Sequence, residues 1–379
     1  MALQGVRDKE DLVIMAGWDA KEMKAFELAD GTTYDRVAAE VRVALSALSQ
    51  ELATDPLWAS LVSFTDKPEL KYRVGAASNM NPFTEYGKSD ANRAERTGHM
   101  IPLQAFDEIV GWTWKYLKEA DIEDVRADIR NAIDAIRNRW RISILGRILK
   151  RGDDSGKAAG LGSTGLSAGF ATAAANTGVD FVPPQFGGKT FTVDHEHYVA
   201  TDGGYTVAVF TDAEAELKEH GLVPPFDFII SPSDEAAVKA LSETSTGAND
   251  GFVPVAKSIV AYGANQDLAK LPTISGGQSY YIGTISNFKT RVVSGMPAGY
   301  GFAFKSYGLN NPMNPLVIRL EKGSKLPTPI LMTDPRAGNG TTPLQNMMLY
   351  LEMGVGVKMR TNGTTRKVNG ATWVDGVAA

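Results

Sequence analysis

From Asp121 to Lys150 the apolar residues keep to one side of a helix without interruption, and few folds have a use for so long a rod. Ile122, Val125, Ile129, Ile133, Ile136, Trp140, Ile144, Leu145 and Ile148 step by three or four, with Glu123, Arg126, Asp128, Arg130, Asp134, Arg137 and Arg141 on the other side. Asp121 is placed to cap the start, and Gly152 in "RGDDSG" to stop the helix. At 1.5 Å per residue the pattern predicts a rod of about 45 Å, well beyond the typical helix of about 11–12 residues. One buried stripe over so few heptads predicts a single strut, not a coiled coil. The expected core of this strut is Ile129, Ile133, Ile136 and Trp140.

Upstream, Tyr34 to Val62 carries a second helical pattern through Val37, Val41, Ala44, Leu45, Leu48 and Leu52, broken at Asp55-Pro56 and followed by an apolar patch at Leu57, Trp58, Leu61 and Val62. Between the two helical regions lies Thr65–Gln104, long, polar and almost without aliphatic residues in its middle. Its flanks, "ELKYRV" and "AERTGHMIPLQ", read as extended. Lys67, Lys71, Arg73, Lys88, Arg93 and Arg96 nearly balance Asp66, Glu69, Glu85, Asp90 and Glu95. A loop of this length is either functional or unordered. The two readings are an arm docking on another polar surface and a floppy loop.

Downstream, Gly152–Gly188 is rich in Gly, Ala, Ser and Thr and reads as irregular surface structure or a linker. An alternating α/β pattern follows. "YTVAVF" is expected as a strand, "TDAEAELKEHG" as a helix capped by Thr211 and stopped by Gly221, "FDFIISP" as a strand and "SDEAAVKALSE" as a helix. "FVPVAKSIVAYG" and "SYYIGTI" are expected as strands, with more between Asn287 and Leu320. The terminal stretch from Asn346 reads as two or three antiparallel strands turning at "TNGTT".

The chain has no cysteine, which rules out disulfides and thiolate metal sites and suits a reducing compartment. Its net charge of -5 argues against tight nucleic-acid binding by bulk charge. The N-terminus has no basic start before an apolar core, so no signal peptide is expected, and no apolar run is long enough to span a membrane.

Three motifs carry possible chemistry. Gly165-Leu166-Ser167-Ala168-Gly169 fits the formula of a serine-hydrolase elbow, but "KAAGLGST" before it is no buried strand, so Ser167 reads as a loop serine. Gly156-Lys157 lacks the spacing of a phosphate-binding loop. In "FTVDHEHYVATDGGY", His195 and His197 would share one face of a strand, with Asp194 and Glu196 on the other. A zinc site needs a further ligand, and the only other histidines are His99 and His220, with no H-E-x-x-H. The expectation is no metal and no cofactor, the two histidines serving packing or pH-responsive subunit contacts. Trp112 and Trp114 read as core or interface anchors.

The order of these parts, with "HMIPLQAFDEIVGWTWKYL", "AELKEHGLVPPFDFIISP" and "SGMPAGYGFAF", resembles the major capsid proteins of tailed bacteriophages over essentially the whole chain. The resemblance implies an α+β, HK-97-type fold. Its parts would be an N-terminal arm and helix (1–62), an extended E-loop (63–106), a P-domain with its spine helix (107–200, helix 121–150), an A-domain (201–340) and closing P-domain strands (341–379). It implies a structural protein, not an enzyme, that assembles as hexamers and pentamers into an icosahedral shell around double-stranded DNA. Assembly would take place in the host bacterial cytoplasm, with the protein ending in the virion. Scaffold, portal and possible decoration proteins would be partners, and Lys71, Arg73, Lys88, Arg93 and Arg96 of the E-loop would contact a neighbouring subunit. Some members cross-link an E-loop lysine to an asparagine; Lys88 and Asn362 occupy suitable regions, but no glutamate near Asn362 is placed as the base. With only some thirty residues before the first helix, a separate scaffold, or a short arm doing that job, is expected rather than a fused scaffolding segment. The alternatives are an encapsulin-type shell, or a hydrolase using His195 and His197 or Ser167.

Overall fold

The structure is a computed structural model. It describes residues 28–74, 95–152, 169–171, 183–184, 186–192, 194–241, 251–254, 279–333 and 344–378. In chain order the helices are α1 (Tyr34–Thr54), α2 (Trp58–Leu61), α3 (Trp114–Glu119), α4 (Ile122–Leu149), α5 (Val207–Glu219) and α6 (Glu235–Lys239). The strands are β1 (Val62–Thr65), β2 (Glu69–Val74), β3 (Glu95–Met100), β4 (Gln104–Thr113), β5 (Tyr198–Ala200), β6 (Phe226–Ile230) and β7 (Phe252–Pro254), then β8 (Ser279–Ile285), β9 (Phe288–Val293), β10 (Tyr300–Phe304), β11 (Leu316–Leu320), β12 (Ile330–Thr333), β13 (Leu344–Val357) and β14 (Thr364–Lys367). Among the described residues no helix is long and apolar enough to cross a membrane.

The chain divides into two units, each assembled from three separate stretches rather than from consecutive segments. The first comprises Met1–Gln50, Ala105–Arg139 and Pro327–Glu352. Here α1 buries Val37, Val41, Leu45 and Leu48, the stripe its periodicity predicts. The start of α4 is capped by Asp121, whose Oδ1 accepts the backbone N–H of Glu123 at 3.2 Å and of Asp124 at 3.3 Å. Arg126 of α4 donates from Nε (3.0 Å) and Nη2 (2.9 Å) to the Glu40 carboxylate of α1, a forked pairing that only the planar guanidinium makes. Trp112 is buried and donates its indole N–H to Asp128 at 2.8 Å. β12 pairs antiparallel with β13, Ile330 opposite Tyr350.

The second unit comprises Glu51–Gln104, Trp140–Leu326 and Met353–Ala379. Its centre is a seven-stranded mixed sheet in the order β5-β14-β10-β6-β9-β8-β7, parallel at β5/β14 and β6/β9 and antiparallel elsewhere. α5 lays Val209, Phe210, Ala213 and Leu217 on a core with Phe226, Phe228, Ile230, Ile285, Phe288 and Val292. β1 runs parallel to β11, and β11 pairs antiparallel with Met353–Val357 of β13. β2 and β3 form a two-stranded ribbon, from Glu69 opposite Met100 to Val74 opposite Glu95.

Four expectations change. "YTVAVF" is not a strand: α5 begins at Val207, with Thr206 rather than Thr211 at its N-cap. Val207, Phe210, Ala213 and Leu217 share a 3.6-residue period that a six-residue window cannot separate from alternation. The terminal strands do not form a meander, because β13 pairs with β11 and β12 while β14 inserts between β5 and β10. The Gly/Ala-rich passage is not all surface: Phe170 is fully buried, its ring 5.1 Å from that of Phe302. The helix expected over "SDEAAVKALSE" is a 3-10 turn at Pro232–Asp234 followed by the short α6. The strand expected over "FVPVAKSIVAYG" is described only at β7, the rest lying outside the described residues.

Candidate functional site

Two features of the second unit carry functional potential: the β2–β3 ribbon and a polar cluster below α5. The ribbon places Lys71 and Arg73 in β2 and Arg96 in β3, with Arg73 opposite Arg96 in the register and Lys71 opposite Gly98. Lys88 and Arg93 lie outside the described residues, as does Ser167. Ile129, Ile133, Ile136 and Trp140 of α4 are all buried. Asn362 is not an exposed partner for a lysine. It is 1% exposed, its amide accepting from Lys305 N at 2.9 Å and donating to Lys305 O (2.9 Å) and Met313 O (3.1 Å).

The polar cluster is built by the ends of elements. α5 finishes at Glu219, His220 takes the cap position, and Gly221 adopts φ +81°, a left-handed turn that glycine enters at little cost. This turn leaves the last two polar side chains of the helix pointing off its end. The second contribution comes from the irregular segment before β5. His197 is nevertheless held firmly. Its N–H donates to Ala171 O at 2.7 Å, and its carbonyl accepts from Thr365 N at 2.8 Å and Thr364 Oγ1 at 3.2 Å. His195 closes a turn on Thr192 O at 3.2 Å.

As a result three of the four histidines in the chain converge with one carboxylate. The Nε2 atoms of His195 and His197 are 3.0 Å apart, those of His195 and His220 3.0 Å, and those of His197 and His220 2.8 Å. Glu219 Oε1 lies 3.1 Å from His195 Nε2 and 3.6 Å from His220 Nε2. Its other oxygen faces Lys189 Nζ at 3.3 Å. Phe191 walls one side, its ring centroid 4.7 Å from that of His195 and 4.5 Å from that of His220. Asp194 is exposed and apart from the cluster, and Glu196 turns to Arg151 at 3.1 Å.

The electrostatics favour neutral rings. Burial pushes His197 well below the ordinary imidazole range, with His220 and His195 adding to the effect. Burial takes His220 down to about 3, helped by His195 and Lys189. His195 also falls, burial outweighing the attraction of Glu219. His197 Nδ1 is 2.7 Å from the Gly363 carbonyl, which can only accept. The ring proton therefore sits on Nδ1, and Nε2 presents a bare lone pair to the cluster.

The sequence singles out His195 and His197 and leaves His99 and His220 as the other histidines for a further ligand, without choosing between them, and nothing in it marks Glu219 as a partner. A "KEHG" helix end is the only local signal, and it says nothing of what the helix end faces.

No protein-family model matches the sequence, and no curated protein matches it. Solved structures do. A chain from Mycobacterium phage Patience aligns with a TM-score of 0.63 at 17% identity, over 92% of this chain and 94% of that one. A chain described as the capsid of an empty GTA particle aligns at TM-score 0.45 and 15% identity, over 82% of this chain and 90% of that one. The SrpI encapsulin complex from Synechococcus elongatus aligns at 0.44 and 12%, over 83% and 88%. The first of these covers nearly the whole chain, which has an α+β fold of the HK-97 type.

Proposed function

We propose that the chain is the major capsid protein of a tailed bacteriophage, assembling as hexamers and pentamers into an icosahedral shell around double-stranded DNA. The observation that carries this reading is the full-length likeness of fold to the Mycobacterium phage chain. The ribbon supports it. Among the described residues β2 and β3 pair with each other and with no further strand, and a lone two-stranded ribbon is marginal in water. In the backbone register Arg73 stands opposite Arg96, and an acidic surface on a neighbouring subunit would suit a ribbon of this sequence. Lys71, Arg73, Lys88, Arg93 and Arg96 are the residues we assign to contact with a neighbouring subunit.

The net charge of -5 suits a wall along which packaged DNA moves without sticking. Scaffold, portal and decoration proteins are the expected partners, the host bacterial cytoplasm the place of assembly and the virion the destination. The chain acts as structure and not as an enzyme.

Electron microscopy and light scattering of protein expressed with and without its scaffold test the proposal. Closed megadalton particles are expected. A species that stays monomeric or dimeric under both conditions overturns it, and closed particles filled with protein cargo and unable to take DNA replace it with the encapsulin reading.

A further inference from the structure

We propose that His195, His197, His220 and Glu219 form a structural site for a divalent transition-metal ion, zinc by ligand chemistry, which clamps the end of α5 to the segment preceding β5. The geometry is that of a ligand set. Four potential ligand atoms, one from each residue, lie within 4.8 Å of one another. The Nε2 triangle with edges of 3.0, 3.0 and 2.8 Å has its centre about 1.7 Å from each nitrogen. An ion about 1.1 Å above that plane therefore makes three bonds of about 2.0–2.1 Å, the length of a zinc–imidazole bond. Nitrogens around a tetrahedral zinc sit about 3.3 Å apart, so the site needs to relax outward by only a few tenths of an ångström. Glu219 Oε1 lies 3.1 Å from His195 Nε2, 3.6 Å from His220 Nε2 and within 4.8 Å of the His197 ligand atom, so a short shift toward His197 brings it to the fourth vertex.

Without an ion the arrangement is hard to satisfy. A neutral imidazole carries one N–H, and that of His197 is committed to Gly363. With protons on the Nε2 atoms of both His195 and His220, those two N–H groups face each other, and with fewer protons lone pairs do, so at least one of the three edges is always unsatisfied. A cation resolves this.

The surroundings are those expected of a metal's outer shell. Gly363 O fixes the tautomer and orientation of the His197 ring, and Lys189 holds the second oxygen of Glu219. The ion would lie at the C-terminal end of α5, where the helix dipole favours positive charge. Arg366, the nearby buried cation, is already neutralised by Glu216 at 2.8 Å. Three imidazoles and one carboxylate suit zinc, nickel or cobalt better than magnesium or calcium. A full protein ligand set with no position left for water marks a structural site rather than a catalytic one.

The proposal does not rest on the capsid assignment, and its test reads metal uptake, not assembly. Full-length wild-type protein is treated with chelator, checked for folding by circular dichroism, and titrated with Co2+ and then Zn2+. About one equivalent per chain should bind, with the intense visible absorption of tetrahedral cobalt, bleached by zinc. Zinc at about 100 times its Kd should raise the melting temperature by about 3 °C. His195→Gln and Glu219→Gln, at the more accessible side of the cluster, should weaken uptake at least about tenfold and remove the thermal shift. Folded wild-type protein that takes up no cobalt overturns the proposal, as does uptake that both variants leave unchanged.

Discussion

Asn314 shows how much of this fold rests on single polar side chains. It is fully buried, and its amide nitrogen donates to Ala59 O (3.2 Å), Val62 O (3.2 Å) and Gly308 O (2.8 Å) while its oxygen accepts from Tyr307 N at 3.1 Å. One side chain thus satisfies backbone groups on stretches some 250 residues apart. An alanine there leaves several buried groups without partners, each costing about 1–3 kcal/mol. Asn314→Ala should lower the subunit's stability by about 3 kcal/mol in urea denaturation, with little change in secondary structure by circular dichroism; a loss under about 1 kcal/mol would contradict this role. Nothing in "GLNNPMNP" distinguishes Asn314 from Asn310 or Asn311. The difference lies in which carbonyls the fold brings near. The histidine cluster obeys the same rule, since the His197 that meets His220 is held in place by the distant Thr365 N–H on its carbonyl.

Among the elements, α4 was readable because its information is local. Its stripe repeats at 3.6 residues for seven turns, and its cap, Asp121, lies next to it in the chain. Asp121→Ala should cost about 1 kcal/mol. Ile136→Asp puts a carboxylate where the side chain is 6% exposed, and should prevent folding, seen as loss of the cooperative melt. Soluble Ile136→Asp protein with a wild-type melting temperature would show that this face is not buried. α5 was misread in part for the opposite reason. Its first four residues, Val207–Phe210, are apolar in a run and suit a strand as well as a helix. Only their packing on Phe226, Phe228 and Phe288 decides the matter. β14 is a similar case, because "TTRK" has no apolar pattern and is buried by its neighbours rather than by its own composition.

For the whole molecule, the proposed shell predicts that the arm is dispensable for the subunit and indispensable for assembly. Deleting residues 76–93 should leave the circular dichroism spectrum and melting temperature of the subunit nearly unchanged while abolishing closed particles by electron microscopy. Normal shells from that variant would remove the arm from the assembly mechanism. The sequence by itself determined the long amphipathic strut, the polar segment before it and the alternating α/β pattern after it. These are set by periodicity and composition over windows of ten to forty residues, where the relevant interactions are between near neighbours or with solvent. Only the tertiary structure decided that β14 runs parallel to β5 and antiparallel to β10, that Phe170 is core, and that His195, His197, Glu219 and His220 share one point in space. Those outcomes depend on contacts that run from some 25 positions, His195 to His220, to more than 160, Tyr198 to Thr365, whose entropic cost is met by the fold as a whole and leaves no local mark in the chain.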